Sequence, residues 1–262
     1  MRAEALQAPV SREQLARIEA AAARAWPALE TADLDGWLWR YASGGSLRAN
    51  SVSTLSFHGA DFDAAVRCAE RRYRASGAPC RFTVTEASEP ADIDARLAAL
   101  GYARGEDHVT MAKAVAGSPT LAPADVALAA DPTPEWLAIY LAGLAPNRRE
   151  IAPAILAGLP ARRSYFSYRR AGAVVGSGLS VADGSLASVQ CMATLASARR
   201  QGCARAVLSA IEAWAAAQGC AHLYLQAEAA NAAAIALYEA SGFRAAGRYH
   251  VRTKEPMPTP FR

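Results

Sequence analysis

The chain has 262 residues and a net charge of +4; 52% of its residues are apolar and 20% charged, ordinary proportions for a soluble globular protein. That length allows one large domain or two small ones, each with a proper core. The mild positive charge suits an anionic ligand better than nucleic acid, and five scattered cysteines without a CxxC pair suit reduced thiols rather than disulfides or zinc.

The opening stretch, "MRAEALQAPVSREQLARIEA", is charged and helical in pattern, with no apolar core of the kind a secretory signal carries. No apolar run anywhere reaches the roughly eighteen residues of a membrane span. A cytoplasmic protein with no membrane and no nucleic-acid partner is the expectation. In "GWLWRYASGGSLRANSVSTL" (36–55), Trp37 and Trp39 alternate as residues on one face of a strand do, and are assigned to the core. Arg48 and Asn50 are candidates for lining a substrate cleft, with a plain surface hairpin as the alternative. Residues 116–134, "AGSPTLAPADVALAADPTP", are rich in Pro, Ala and Asp and form the best linker candidate.

Beyond the linker the pattern predicts helices near 133–144 and 149–158. Three strand-like runs follow, "RSYFSYRR", "AVVGSGLSVA" and "LASVQCMATL", separated by the turns "RAG" and "ADGS". Val207, Ile211 and Trp214 recur at helical spacing within a helix of about 203–218. A strand "HLYLQ", a helix over 231–241 and a final strand pair after Gly242 complete the order. An internal echo runs through the chain: "FTVTEASEPADIDARLAALGY" (82–102) aligns without a gap on "LYLQAEAANAAAIALYEASGF" (223–243). Each reads as strand, loop, helix, then Gly and an aromatic residue.

The stretch "SARRQGCARAVL" (197–208) joins the last of the three strands to a helix. A helix N-terminus carries unpaired N–H groups and a partial positive charge, so an anion is stabilised there. Gly202 lets backbone approach a ligand closely, Ala204 keeps the approach open, and Arg199 and Arg200 add full charges. There is no Walker lysine and there are too few glycines for a dinucleotide fingerprint. No nucleophile elbow, HExxH or metal-ligand cluster is found, so no metal is expected.

"MATLASARRQGCARAVL" followed by "LYLQAEAANAAAIALYEASGF" resembles the acetyl-CoA-binding core of the GNAT N-acetyltransferase superfamily, over about residues 120–254. The resemblance implies an α+β protein of tandem GNAT-like folds, each a mixed, mostly antiparallel sheet with helices on both faces. Residues 1–117 would be a degenerate N-terminal unit and 118–262 the catalytic one. It further implies acetyl-CoA as acetyl donor and direct attack on it by an amine acceptor in a ternary complex. Cofactor contacts would come from Met192, Ala193 and Thr194 on the strand, from Arg199, Arg200, Gln201, Gly202, Cys203 and Ala204 in the loop, and from Asn231. Tyr238 matches the family's general acid, which protonates the departing thiolate. Ala204 stands where glycine is more usual, and Ala196 where proline is common. "GWLWRYASGGSLRANSVSTL" is also similar to a segment in bacterial two-part GNAT proteins.

A general base is less easily read. A lysine amine is neutral in only about one molecule in 2,500 at pH 7, so its proton must go somewhere. Relatives use a glutamate where this chain has Gln190; Glu228 through a water, or Tyr249 or His250, are weaker candidates. A covalent route through Cys191 or Cys203 lacks a nearby histidine. At the matching offset the first half has "HGADFD" (58–63), whose Asp61 and Asp63 would repel a diphosphate. There Pro90 replaces Asn231 and Leu97 replaces Tyr238. A non-catalytic acyl-CoA-binding regulator or scaffold is the alternative reading.

Overall fold

The computed structural model describes residues 10–115 and 123–256. The start of the N-terminal stretch and residues 116–122 of the expected linker lie outside the described residues. The chain forms two compact units. The first comprises Ser11–His108, Pro146–Gly158 and the chain from Gly247; the second comprises Val109–Ala145 and Leu159–Ala246, with Val10. Among the described residues no helix is long and apolar enough to cross a membrane.

The first unit begins with α1 (Arg12–Ala25), started by a capping box in which Ser11 Oγ accepts from the Gln14 N–H and the Gln14 side chain accepts from the Ser11 N–H. Then come β1 (Glu30–Leu34), β2 (Trp37–Tyr41), β3 (Val52–Ser53), α2 (Phe62–Ala75), β4 (Cys80–Thr85), α3 (Ile93–Ala99) and β5 (Ala103–Arg104). β1, β2 and β3 form an antiparallel meander; β3 then pairs in parallel with β4, as a strand–helix–strand crossover through α2 requires. Trp37 is fully buried among the rings of Phe57, Phe62 and Phe82, and Trp39 packs on Tyr41 and Tyr73, so both are core residues.

Asn50 is not available to line a cleft. Its Oδ1 accepts from the N–H groups of Ala42 and Gly44, while Nδ2 donates to the carbonyls of Gly44 and Ser46. All four bonds an asparagine side chain can make are spent inside its own loop. Arg48 lies over the Trp26 ring at 5.5 Å, and its carbonyl accepts from the buried Arg40.

The next elements are β6 (His108–Ala114), β7 (Val126–Ala129), α4 (Pro134–Ala142), α5 (Pro146–Ala157), β8 (Arg163–Arg170), β9 (Ala173–Asp183), β10 (Leu186–Ser188), β11 (Gln190–Thr194), α6 (Cys203–Ala217), β12 (His222–Glu228), α7 (Ala232–Ala240) and β13 (Arg244–Lys254). β13 is one unbroken strand where a strand pair was expected, running straight through Gly247. In the second unit the strands run β6-β12-β10-β9-β8-β7, with β11 also on β9. β7, β8, β9 and β10 are antiparallel neighbours, and β10 pairs in parallel with β12 across α6. This repeats the order of the first unit.

Helices cover both faces of the second sheet. Trp136 of α4, fully buried, meets the Tyr165 ring edge-on at 4.9 Å and donates from Nε1 to the Gly178 carbonyl. Phe166, the next residue along β8 and hence on the opposite face, packs against Trp214 of α6. A Cβ on Gly178 would come within 2.5 Å of Val207 Cγ1, so glycine there lets α6 lie close on the sheet.

Candidate active site

The third strand-like run of the sequence is two strands, and the break makes the site. Val189 still donates its N–H to the Tyr224 carbonyl of β12 at 2.8 Å. Beyond it the register shifts between Gln190 and Ala193, and Cys191 takes a positive φ of 51°. A bulge of this kind bends its strand. Among the described residues β11 then pairs with β9 and not with β12, so a gap opens between β11 and β12.

The chain leaves β11 through a single 3-10 turn, Ala196–Ala198, and reaches α6 through Arg200 and Gly202, both at positive φ (59° and 83°). Left-handed backbone costs a non-glycine residue roughly 1–2 kcal/mol, and such residues cluster at functional sites. Gly202 is the N-cap of α6 and supplies no side-chain bond; the first helical bond runs from Ala206 N–H to the Gly202 carbonyl. The amides of residues 203–205 therefore precede the helical ladder and carry the positive end of the helix dipole. A Cβ on Gly202 would meet nothing within 4 Å, so the space ahead of the helix is open. The buried Cys203 thiol donates to the Ala198 carbonyl and ties loop to helix.

A groove of about 1010 Å³ occupies this opening. One wall is Met192, Ala193, Thr194 and Leu195 of β11 and its continuation; the floor near α6 is Arg199, Arg200, Gly202, Cys203, Ala204 and Arg205. Asn231, Ala233, Ala234, Leu237 and Tyr238 of the α7 segment close it opposite, and Ile139 and Ala142 of α4 contribute with its C-cap Gly143. Asn231 is the N-cap of α7, its Oδ1 accepting from Ala234 N–H at 3.1 Å. Tyr238 is 9% exposed, packed edge-on against Phe243, and burial raises its phenol above the ordinary tyrosine range. It is a protonated donor at neutral pH.

The structure gathers every residue expected at the site except Gln201. That side chain donates to the Ser197 carbonyl at 2.9 Å, bracing the loop from outside, and does not line the groove. Arg205, Leu195, Leu237 and several alanines of the lining were not among the expected residues, nor were Ile139, Ala142 and Gly143 at the end of α4. Arg205 was readable as the next charge in the helix's first turn, whereas Ile139, Ala142 and Gly143 come from a distant segment with no motif. None of the candidate bases lines the groove. Gln190 is buried and donates to Ser188 Oγ, and Glu228 is exposed at the end of β12. His250 sits in the first unit against Asp94 Oδ1 at 2.6 Å, with Tyr249 stacked on His108. Arg199, Arg200 and Arg205 are exposed, so the groove is cationic near the start of α6, and Thr194, Asn231 and Tyr238 add polar groups to a lining that is mostly apolar elsewhere.

Solved structures share this fold at low identity. The GCN5-related N-acetyltransferase from Kribbella flavida is similar over 92% of this chain and 96% of that one, with a TM-score of 0.66 and 16% identity. A functionally unknown conserved protein from Staphylococcus epidermidis gives a TM-score of 0.62 at 11% identity, over 90% and 96% of the two chains. A tandem GNAT protein from the clavulanic acid biosynthesis pathway gives 0.60 at 16%, over 80% and 76%. The architecture is thus that of tandem GNAT-like folds. No curated protein sequence matches the chain. The family described as "Probable histone acetyltransferase Rv0428c C-terminal" matches residues 13–252, and the chain belongs to that family of GNAT-type acetyltransferases.

Proposed function

We propose that the second unit binds acetyl-CoA and transfers its acetyl group to a primary amine of a small molecule or protein, by direct attack within a ternary complex. The observation that carries this reading is the uncapped, glycine-led N-terminus of α6, with Arg199, Arg200 and Arg205 beside it, opening on a groove that Tyr238 also lines. The donor set fits a diphosphate: amides of residues 203–205 point out of the helix end, and the arginines add charge. The bound co-substrate supplies an activated acyl carbon on a thiol leaving group.

The residues of this chain do the rest. β11 offers backbone donors along Met192–Thr194 to a developing oxyanion, and one such preorganised donor can lower a barrier by about 3–4 kcal/mol. Tyr238 holds a proton on its phenol oxygen and gives it to the departing sulfur. Met192, Leu195, Leu237 and Ile139 exclude water, which strengthens both effects. The family is that of a probable histone acetyltransferase, and an amine on a protein is one acceptor class within this reading.

A second reading, a CoA-binding regulator without turnover, is favoured by one observation: among the described residues no carboxylate or imidazole lines the groove. The test is incubation with acetyl-CoA and a panel of amines, following free thiol and acetylated amine by mass. Stoichiometric thiol and acetyl-amine support transfer. Tight acetyl-CoA binding without acetylation of any amine supports the regulator.

A further inference from the structure

We infer that Lys113, a residue of the first half of the chain, is a positioning residue of the proposed acetyl-CoA site: by holding Glu212 it leaves Arg205 to the bound diphosphate. The inference rests on the acetyl-CoA reading above and gives that site a residue outside its motifs.

Lys113 stands near the end of β6, the last strand of the first half, which belongs to the second unit beside β12. Its ammonium is held from three sides. Nζ donates to Glu212 Oε2 of α6 at 2.7 Å and to the carbonyl of Ser241, the C-cap of α7, at 3.1 Å. It also lies 5.7 Å from the centre of the Phe243 ring. The end of α7 carries the negative pole of its helix, which suits a cation. The side chains of Lys113 and Glu212 are only 15% and 20% exposed, so solvent screens the pair poorly.

The last strand of the second half makes the reciprocal move. From Gly247 onward β13 belongs to the first unit, where it pairs with β4. Lys254 ends that strand, and at the offset of 141 residues that aligns α2 with α6 it matches Lys113. Lys254 Nζ donates to Glu70 of α2 at 3.0 Å and lies 5.3 Å from the centre of the Tyr102 ring, which matches Phe243. Each half therefore supplies a strand whose lysine fastens the crossover helix of a unit built mainly from the other half.

The two clamps differ in what surrounds the glutamate. In the first unit Ala64 stands at the place of Arg205. In the second, Lys113, Glu212 and Arg205 line one cavity of about 240 Å³, and Arg205 lines the groove as well. Arg205, Ser209 and Glu212 follow one another at helical spacing along one face of α6. Arg205 is thus shared between groove and cavity, and its charge responds to whatever stands at Glu212. With the ammonium on the carboxylate, that pair is close to neutral as seen from Arg205. Without Lys113 the cavity loses a positive charge, and Glu212 draws the guanidinium away from the groove.

The test is a set of calorimetric titrations of acetyl-CoA into the full chain. Lys113→Met should weaken binding about three- to tenfold, and adding Glu212→Gln to it should restore the affinity to within about twofold. In an Arg205→Gln background Lys113→Met should change affinity by less than about twofold, because its effect runs through Arg205. Lys254→Met breaks the matching clamp of the first unit; it should lower the melting temperature and leave affinity as in the wild type. A merely structural role for Lys113 gives equal losses in both backgrounds and no rescue by Glu212→Gln, and either result overturns the proposal. Unchanged affinity in Lys113→Met, or a matching loss in Lys254→Met, overturns it too. Glu212→Gln alone keeps the ammonium and should bind no more weakly than the wild type; weaker binding there overturns the proposal even if Lys113→Met fails to fold. A wild type that does not bind acetyl-CoA overturns the underlying reading and this proposal with it.

Discussion

Asp61 and Gly202 hold the same place in two copies of one motif, the N-cap of a helix that crosses between parallel strands. α2 begins at Phe62 and α6 at Cys203, an offset of 141 residues that also aligns the two echoing sequences. In the first unit Asp61 Oδ1 accepts from the Ala64 N–H at 2.9 Å, and Asp63 adds a second negative charge in the first turn. The helix end is satisfied by its own chain. In the second unit Gly202 offers no side chain, and three arginines stand where an anion would sit. The same exchange recurs one helix later, where Leu97 is fully buried at the position Tyr238 occupies beside the groove. On the proposed reading the site is a helix end left uncapped, and the aspartate cap of α2 would keep the fold while removing an anion's place.

The contrast can be broken at each matched pair. Tyr238→Phe should lower kcat by about 10²–10⁴-fold with acetyl-CoA affinity unchanged, measured by steady-state assay beside a binding titration. Leu97→Ala, at the matching place, should cost about 2–5 kcal/mol of stability in urea unfolding and leave acetyl-CoA binding intact. Asp61→Ala should cost about 1 kcal/mol through the lost cap, seen as a lowered melting temperature, again without effect on binding.

A smaller effect separates the units by acid. Arg252 donates from Nε and Nη2 to Asp94 at 2.8 and 3.0 Å and His250 joins at 2.6 Å, tying α3 to β13. These bonds, Arg252's foremost, hold the Asp94 carboxyl down at about 2. The folded value lies below the ordinary carboxylate value, so this stabilisation is complete above about pH 4 and is lost as pH falls towards 2. At the matching offset the second unit has Ile235, packed on its core, with nothing to titrate. Asp94→Asn should destabilise the first unit at pH 7 and flatten its stability between pH 4 and 2, followed by acid unfolding.

Much of this was legible in the sequence because local chemistry decides it. "RSYFSYRR" is β8 from Arg163 to Arg170, its ends set by the turns around it. α6 starts at the residue after Gly202, as helix-cap chemistry requires. The break inside "LASVQCMATL" was not legible, since Val, Gln and Cys all suit a strand and the bulge at Cys191 follows from which neighbour each half pairs with. Gln201 belongs to the motif, but the reach of its side chain back to Ser197 depends on the loop's three-dimensional path. Nor does any local signal mark Pro146–Gly158 and the chain from Gly247 as belonging with the first unit. Those assignments are made by long-range packing alone.

The claim that α6 is an open anion site and α2 a closed one is tested most directly by titrating acetyl-CoA calorimetrically into the wild type, Gly202→Asp and Asp61→Gly. The account predicts one micromolar site in the wild type, weakened at least about tenfold by Gly202→Asp and untouched by Asp61→Gly. Equal affinity in the wild type and Gly202→Asp, or loss of binding on changing Asp61, would contradict it.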